Sequence, residues 1–122
     1  MILADTSVWI DHLRADDARL AVELSRDNIL MHAFVLGELS LGSLGQRKRT
    51  LAALASLPAA VVAQPNEVQS LIEIRSLHGR GIGYIDAHLI ASALITPDTV
   101  LWTRDRRLRV VAESMKIHVQ FP

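Results

Sequence analysis

The chain has no cysteine among its 122 residues, which excludes a disulfide framework and any site built on a thiolate. It also has no net charge at neutral pH, because thirteen basic residues balance thirteen acidic ones. Binding to nucleic acid would therefore need a local basic patch. No apolar run approaches the ~20 residues of a membrane span, and Asp5 interrupts the only N-terminal stretch that resembles a signal peptide. We expect a soluble, cytoplasmic protein.

Common catalytic and metal-binding signatures are missing as well. No two of the five histidines have the i, i+4 spacing of a zinc-binding helix. There is no nucleophile elbow, Walker loop or dinucleotide fingerprint, and the glycines at 79, 81 and 83 predict only a flexible loop. We interpret the histidines as packed or surface residues, namely His12, His32, His78, His88 and His118.

Half of the residues are apolar, so a chain of this length is expected to form one domain, residues 1–122, with its own core. Strands are predicted at 1–4, 29–35, 59–63, 99–103 and 117–121, and helices from about 6 and at 16–26, 36–44, 46–57, 67–77, 84–94 and 106–115. Because strands that alternate with helices are joined by crossovers, this order predicts an α/β fold. Its sheet would be mostly parallel, with four to five strands and helices on both faces.

Four of the acidic residues have apolar sequence neighbours: Asp5, Glu38, Asp86 and Asp105. A carboxylate in such surroundings costs free energy unless it is paired, hydrogen-bonded or bound to a metal. Each of the four is predicted at a strand end or in the first turn of a helix, and such positions meet along one edge of a parallel sheet. For Asp5 the alternative is that it only caps the following helix.

Converging carboxylates raise one another's pKa values unless divalent cations neutralise them. Ligands that are all oxygen suit Mg²⁺ or Mn²⁺, and such a metal supports phosphodiester hydrolysis by activated water. Acids scattered along a chain are also consistent with an ordinary solvated face.

Basic residues gather at 47–49 and beside Asp105, where the group consists of Arg104, Arg106, Arg107 and Arg109. A phosphate backbone that approaches the metal would pass the second group. The alternative is that nearby acids simply offset these charges at helix ends. Trp9 and Trp102 are interpreted as core residues and not as base-stacking platforms.

Four segments resemble the successive motifs of PIN-domain ribonucleases, specifically the VapC toxins of toxin–antitoxin pairs. They are Leu3-Ala-Asp-Thr-Ser-Val-Trp9, Gly37-Glu-Leu39, Asp86-Ala-His-Leu-Ile-Ala-Ser-Ala93 and Leu101-Trp-Thr-Arg-Asp-Arg-Arg-Leu108. The resemblance covers essentially the whole chain. It implies a three-layer α/β/α sandwich, a Mg²⁺- or Mn²⁺-dependent endoribonuclease, a homodimer, and inhibition by a small cognate antitoxin from the same operon.

The family's acidic quartet corresponds to Asp5, Glu38, Asp86 and Asp105, with Thr103 as the hydroxyl residue that supports Asp5. The resemblance implies that Asp5 and Asp86 are the primary metal ligands and that the other two complete the site. One of the four would act as general base, and RNA cleavage would leave 5′-phosphate and 3′-hydroxyl ends. An antitoxin arginine would inhibit by pairing with the carboxylates.

Two other functions remain open. A metal-dependent phosphatase with an aspartyl nucleophile would need a second aspartate two residues after Asp5, where this chain has Ser7. A non-catalytic module that binds RNA or protein would be expected to have lost some of the four acids, and all of them are present.

Overall fold

The structure is a computed structural model that describes residues 1–121. This part of the chain contains seven helices and three strands. The strands are β1 (Ile2–Ala4), β2 (Ile29–Leu30) and β3 (Val100–Trp102). The helices are α1 (Thr6–Ala15), α2 (Ala18–Ser25), α3 (Ala33–Ser40), α4 (Arg47–Ala55), α5 (Pro65–Ile74), α6 (Tyr84–Ile95) and α7 (Arg106–Ser114). None of these seven helices is long and apolar enough to cross a membrane.

The three strands form one parallel sheet in the order β2-β1-β3. Ile2 of the central strand lies opposite Ile29 on one side and Val100 on the other. The predicted α/β fold with a parallel sheet is therefore confirmed. The prediction of four to five strands is wrong, because each outer edge is extended only by a single bridge, Met31 to Ala59 and Leu101 to His118.

Side chains explain why residues 59–63 do not continue as a strand. Ala60 still donates its backbone N–H to Met31 at 2.8 Å. Beyond it, the N–H groups of Val61 and Ala63 donate to the hydroxyls of Thr96 and Ser92, at 3.0 and 3.4 Å. Because these donors are bound by hydroxyl groups at α6 and its end, the pairing with Met31, the residue after β2, stops after one bridge.

At the other edge, Leu101 donates to Ile117 at 2.7 Å and accepts from Val119 at 2.8 Å. The carbonyl of Val119 then lies 2.8 Å from Nδ1 of His118, so the imidazole donates to it. This local bond replaces the next step of the predicted strand at 117–121.

The second predicted strand is shorter than expected because α3 begins early. Nδ1 of His32 accepts the N–H of Phe34 at 2.9 Å and so caps a helix that starts at Ala33. The apolar residues around Phe34 were predicted as strand, since a helix buried on several sides lacks clear periodicity. As a result, Glu38 lies in the second half of α3 and not in its first turn.

The core surrounds the central strand, whose three residues are all buried. Trp9 and Trp102 are 2% and 6% exposed, which confirms their interpretation as core residues. Helix α1 contacts β1 and α3, while α6 contacts β3 and α5. The three-layer description and the single domain over residues 1–122 stay predictions.

Candidate active site

Asp5 follows β1 directly and is 5% exposed. Its backbone N–H donates to the carbonyl of Trp102 at 3.0 Å, which ties it to the end of β3. Its carboxylate accepts from the hydroxyls of Ser7 and Thr103 and from the N–H of Val8, the last at 3.3 Å. Asp5 therefore caps α1 and is also fixed at the carboxyl end of the central strand, beside the end of β3.

Thr103 connects the first and last acids of the predicted quartet. Its side chain is 2% exposed, and its hydroxyl donates to Oδ2 of Asp5. The same hydroxyl oxygen accepts the backbone N–H of Asp105 at 3.0 Å. Asp105 in turn caps α7, because its Oδ1 accepts the N–H of Leu108 at 3.0 Å. One buried hydroxyl thus sets the relative positions of Asp5 and Asp105.

Asp86 and Glu38 reach the same region from two other helices. Asp86 lies in the first turn of α6, where Oδ2 accepts the N–H of Gly83 at 3.0 Å. Glu38 is exposed, and its Oε1 accepts from the hydroxyl of Thr6 at 2.8 Å. The hydroxyls of Thr6 and Ser7, in the first turn of α1, thus each hold an acidic side chain.

The four acids influence one another electrostatically. Burial raises the pKa of Asp86, and the hydrogen bond from Gly83 opposes this rise. The negative charges of Asp105, Asp5 and Glu38 raise the pKa further, so that it lies above its ordinary value. Within residues 1–121 no lysine or arginine forms an ion pair with any of the four. The structure therefore brings the predicted quartet together as a group with surplus negative charge.

The chemistry of this group fits a hard divalent cation, because every side-chain donor is an oxygen and the charge is negative. As they stand, no three histidine, aspartate or glutamate side chains in the described part of the chain are arranged to hold a metal ion. The side chains of Asp5, Glu38 and Asp86 each accept hydrogen bonds from local donors of their own.

Arg104 is held in ion pairs and is therefore not available to a phosphate backbone that approaches these acids. Its guanidinium donates to the carboxylates of Asp11 and Asp17, joining the second residue after β3 to α1 and to the N-terminus of α2. Arg109 pairs with Glu113 at 3.2 Å. For these two arginines the structure supports the interpretation in which nearby acids offset their charge.

The histidines are packed or surface residues, as interpreted from the sequence. His32 is fully buried, with Nε2 2.9 Å from the hydroxyl of Ser92, and burial together with His88 lowers its pKa to about 4. Since Nδ1 accepts from Phe34, the proton of this neutral ring is on Nε2. His88 is buried against the rings of Phe34 and Tyr84.

Comparison with known proteins tests the family resemblance independently of the site geometry. A protein-family model described as PIN domain matches residues 2–114. Two curated relatives, both named Ribonuclease VapC32, come from Mycobacterium tuberculosis strains CDC 1551 / Oshkosh and ATCC 25618 / H37Rv. Each is 49% identical over 115 residues, which cover 93% of this chain and 93% of the relative. The chain belongs to the PIN-domain family of VapC ribonucleases. The resemblance indicated by its motifs is thereby confirmed.

A solved structure supports the same fold for this VapC family member. It is a chain of VapBC-1 from nontypeable Haemophilus influenzae, with a TM-score of 0.65 and 19% sequence identity. The match covers 98% of this chain and 97% of that chain, so the shared fold extends over nearly the whole length of both. Proteins of the PIN/VapC family are typically metal-dependent.

Proposed function

We propose that this chain is a metal-dependent endoribonuclease and the toxin of a toxin–antitoxin pair. The observation that carries the proposal is the convergence of Asp5, Glu38 and Asp105 on Asp86, whose pKa is raised first by burial and further by these three negative charges. The 49% identity to two relatives named ribonuclease, over 93% of the chain, supports RNA as the substrate.

Asp5 and Asp86 would be the principal ligands of Mg²⁺ or Mn²⁺, and Glu38 and Asp105 would complete the site. The metal, when bound, stabilises negative charge on the phosphate and lowers the pKa of the attacking water. The role of Thr103 is to fix the orientation of the Asp5 carboxylate, with help from Ser7. One of the four carboxylates accepts the proton from water as general base.

The arrangement favours attack by water over attack by the ribose 2′-hydroxyl. The second route needs a pair of acid and base groups such as histidines. His32 is buried and neutral, with both ring nitrogens engaged, and His88 packs among aromatic rings. We therefore expect products with 5′-phosphate and 3′-hydroxyl ends. The phosphatase alternative loses support because Ser7, which replaces the second aspartate, donates to Asp5.

The test is Mg²⁺- and Mn²⁺-dependent cleavage of total cellular RNA, with analysis of the product ends. Asp5→Asn and Asp86→Asn should each lower the cleavage rate about a hundredfold to ten-thousandfold. Asp11→Asn is the matched control, because Asp11 pairs with Arg104 and takes no part in the acidic group. Activity that survives both substitutions would place the site elsewhere, and a folded wild type that binds metal but cleaves nothing would favour a binding module.

The cognate antitoxin would bind beside the acidic group. A cavity of about 380 Å³ is lined by apolar residues that include Ile10, Leu13 and Leu39, and Glu38 lies at its wall. An apolar segment in this cavity would place an arginine within reach of Glu38 and its acidic neighbours. Leu13→Glu should weaken inhibition by the antitoxin while cleavage by the free toxin continues; unchanged inhibition would contradict this placement. The homodimer and the cytoplasmic location stay predictions.

A further inference from the structure

The structure divides the arginines around Asp105 into two kinds. Arg104 and Arg109 form ion pairs with acids, as described above. Arg106 and Arg107 form none with any acid in residues 1–121, and neither does Arg80. These last three, here called the arginine cluster, line one cavity of about 310 Å³ together with Val110 and Val111.

The arginine cluster lies on the two chain segments that also carry acids of the candidate site. Arg80 belongs to the loop that leads into α6, where Gly83 binds Asp86. Arg106 and Arg107 are the first residues of α7 and follow Asp105 directly. The lining of this cavity thus begins one position after Asp105 and six positions before Asp86 in the chain.

The loop has a conformation that leaves room for Arg107. Gly81 has φ of +79°, which side chains other than glycine rarely adopt. A Cβ atom at Gly81 would lie 2.7 Å from Cδ and 3.0 Å from Nη1 of Arg107, so this side chain lies directly against the glycine backbone. The missing side chain at 81 thus allows Arg107 to reach the cavity that Arg80 also lines.

The arginine cluster is exposed to solvent and forms no ion pair in residues 1–121, so it is open to a negatively charged partner. Like charges that share a cavity repel, and cations in the first turn of a helix oppose its dipole. Only the cap Asp105 offsets Arg106 and Arg107 in that turn, since α7 has no acidic residue among its first positions. Guanidinium groups bind phosphate oxygens through paired hydrogen bonds, so a phosphate chain is the partner that this geometry suits.

We propose that the cavity between Arg80, Arg106 and Arg107 binds the phosphate backbone of the RNA strand as it enters the acidic site. This inference rests on the proposed ribonuclease function and adds to it a binding site for the substrate. It assigns these three arginines to substrate binding, while Arg104 and Arg109 are engaged in ion pairs with acids.

Binding can be measured apart from cleavage. In the Asp86→Asn background with chelator and no metal, fluorescence anisotropy would follow a labelled oligouridylate between about 50 and 200 mM salt. Arg80→Gln, Arg106→Gln and Arg107→Gln should each weaken binding about tenfold and reduce the salt slope by about 0.7. Arg109→Gln removes the same charge from the same helix and should change neither quantity. Arg107→Lys keeps the charge and should therefore retain most of the salt slope of the parent protein.

Cleavage by otherwise wild-type enzyme separates this proposal from the proposed function. The arginine variants should raise KM with little change in kcat. If they bind and cleave RNA like their parent, the arginine cluster is not a substrate site, although the nuclease stands. If the wild type cleaves nothing while the arginines still govern RNA binding, the nuclease proposal fails and the binding site stands. Oligoglutamate that competes as well as RNA would overturn the assignment in favour of an acidic protein.

Discussion

Asp17 and Asp86 occupy similar places in the fold and have opposite pKa shifts. Both lie at the N-terminal end of a helix and accept a backbone N–H, from Leu20 and Gly83 respectively. For Asp17, burial raises the pKa, but the bond from Leu20 and the Arg104 guanidinium outweigh burial and lower it. For Asp86, burial and three neighbouring acids raise the pKa.

The difference lies in which charges the rest of the chain brings to each aspartate. Around Asp17, Arg104 binds two carboxylates and joins the segment after β3 to α1 and α2. Around Asp86, the acids Asp5, Glu38 and Asp105 converge. No lysine or arginine in residues 1–121 forms an ion pair with any of these four acids. One group of charges holds elements of the fold together, whereas the other costs stability and suits the binding of a cation.

Among the variants that compare these two groups of charges, the largest loss of stability is expected from Thr103→Val, which disturbs the acidic group and leaves the Arg104 pairs in place. The change removes a donor to Asp5 and an acceptor for the N–H of Asp105 at almost constant volume. Unfolding in urea should show a loss of about 1–3 kcal/mol. RNA cleavage should fall about tenfold to a hundredfold. Thr103→Ser keeps the hydroxyl and should retain most of the stability and most of the cleavage activity. Equal losses in the two variants would contradict a role for the hydroxyl.

Asp17→Asn and Asp86→Asn should change stability in opposite directions at neutral pH in metal-free buffer. Asparagine keeps the cap at position 17 but loses the ion pair with Arg104, at a cost of about 0.5–1 kcal/mol. At position 86 asparagine still accepts from Gly83 while one of four repelling charges disappears, so the melting temperature should rise by a few degrees. Mn²⁺ should raise the melting temperature of the wild type and of Asp17→Asn, and not that of Asp86→Asn. Two destabilised variants would mean that the acidic group carries no strain.

The pKa shifts of Asp17 and Asp86 also predict how the stability difference between each variant and the wild type depends on pH. A lowered pKa means that Asp17 contributes stability above its unfolded value of 3.8, and that the contribution is lost as pH falls through the folded value. A raised pKa means that the contribution of Asp86 is present below 3.8 and is lost as pH rises through its folded value. Both variants should therefore melt closer to the wild type at about pH 3 than at neutral pH. A difference that stays constant over this range would show that charge is not its cause.

The sequence indicated the acidic group because its signals are local. An apolar run that ends at Asp5 and another that ends shortly before Asp105 predict strands with acids at their carboxyl ends. For Glu38 the predicted convergence is supported by the structure, but its place within the helix was wrong. The capping of α3 by His32 is a contact of an imidazole that residue type alone does not indicate.

The division of the arginines was beyond the sequence because it depends on tertiary contacts. Arg104 binds Asp11, which is 93 positions earlier in the chain. Arg107 meets Gly81 only because α7 packs beside the loop before α6. In the sequence, Arg104, Arg106, Arg107 and Arg109 form a single basic segment, and nothing within that segment distinguishes paired from unpaired residues.

The smallest effect is expected from replacing a glycine by alanine, a change that tests the role of the unpaired Arg107 without removing any charge. Gly79 and Gly81 both have positive φ, +70° and +79°, so alanine at either position should cost about 1 kcal/mol from backbone strain. Only at Gly81 would the new methyl group displace Arg107, since nothing lies within 4 Å of a Cβ at Gly79.

Gly81→Ala should therefore raise KM for RNA a few-fold, and Gly79→Ala should leave it unchanged, although both melt at similar temperatures. Steady-state cleavage at low salt is the sensitive measurement, because phosphate contacts contribute most there. Combining Gly81→Ala with Arg107→Gln should add little to the effect of Arg107→Gln alone, since both changes act on one side chain. Fully additive effects in this double variant would show that Gly81 acts through the loop and not through Arg107.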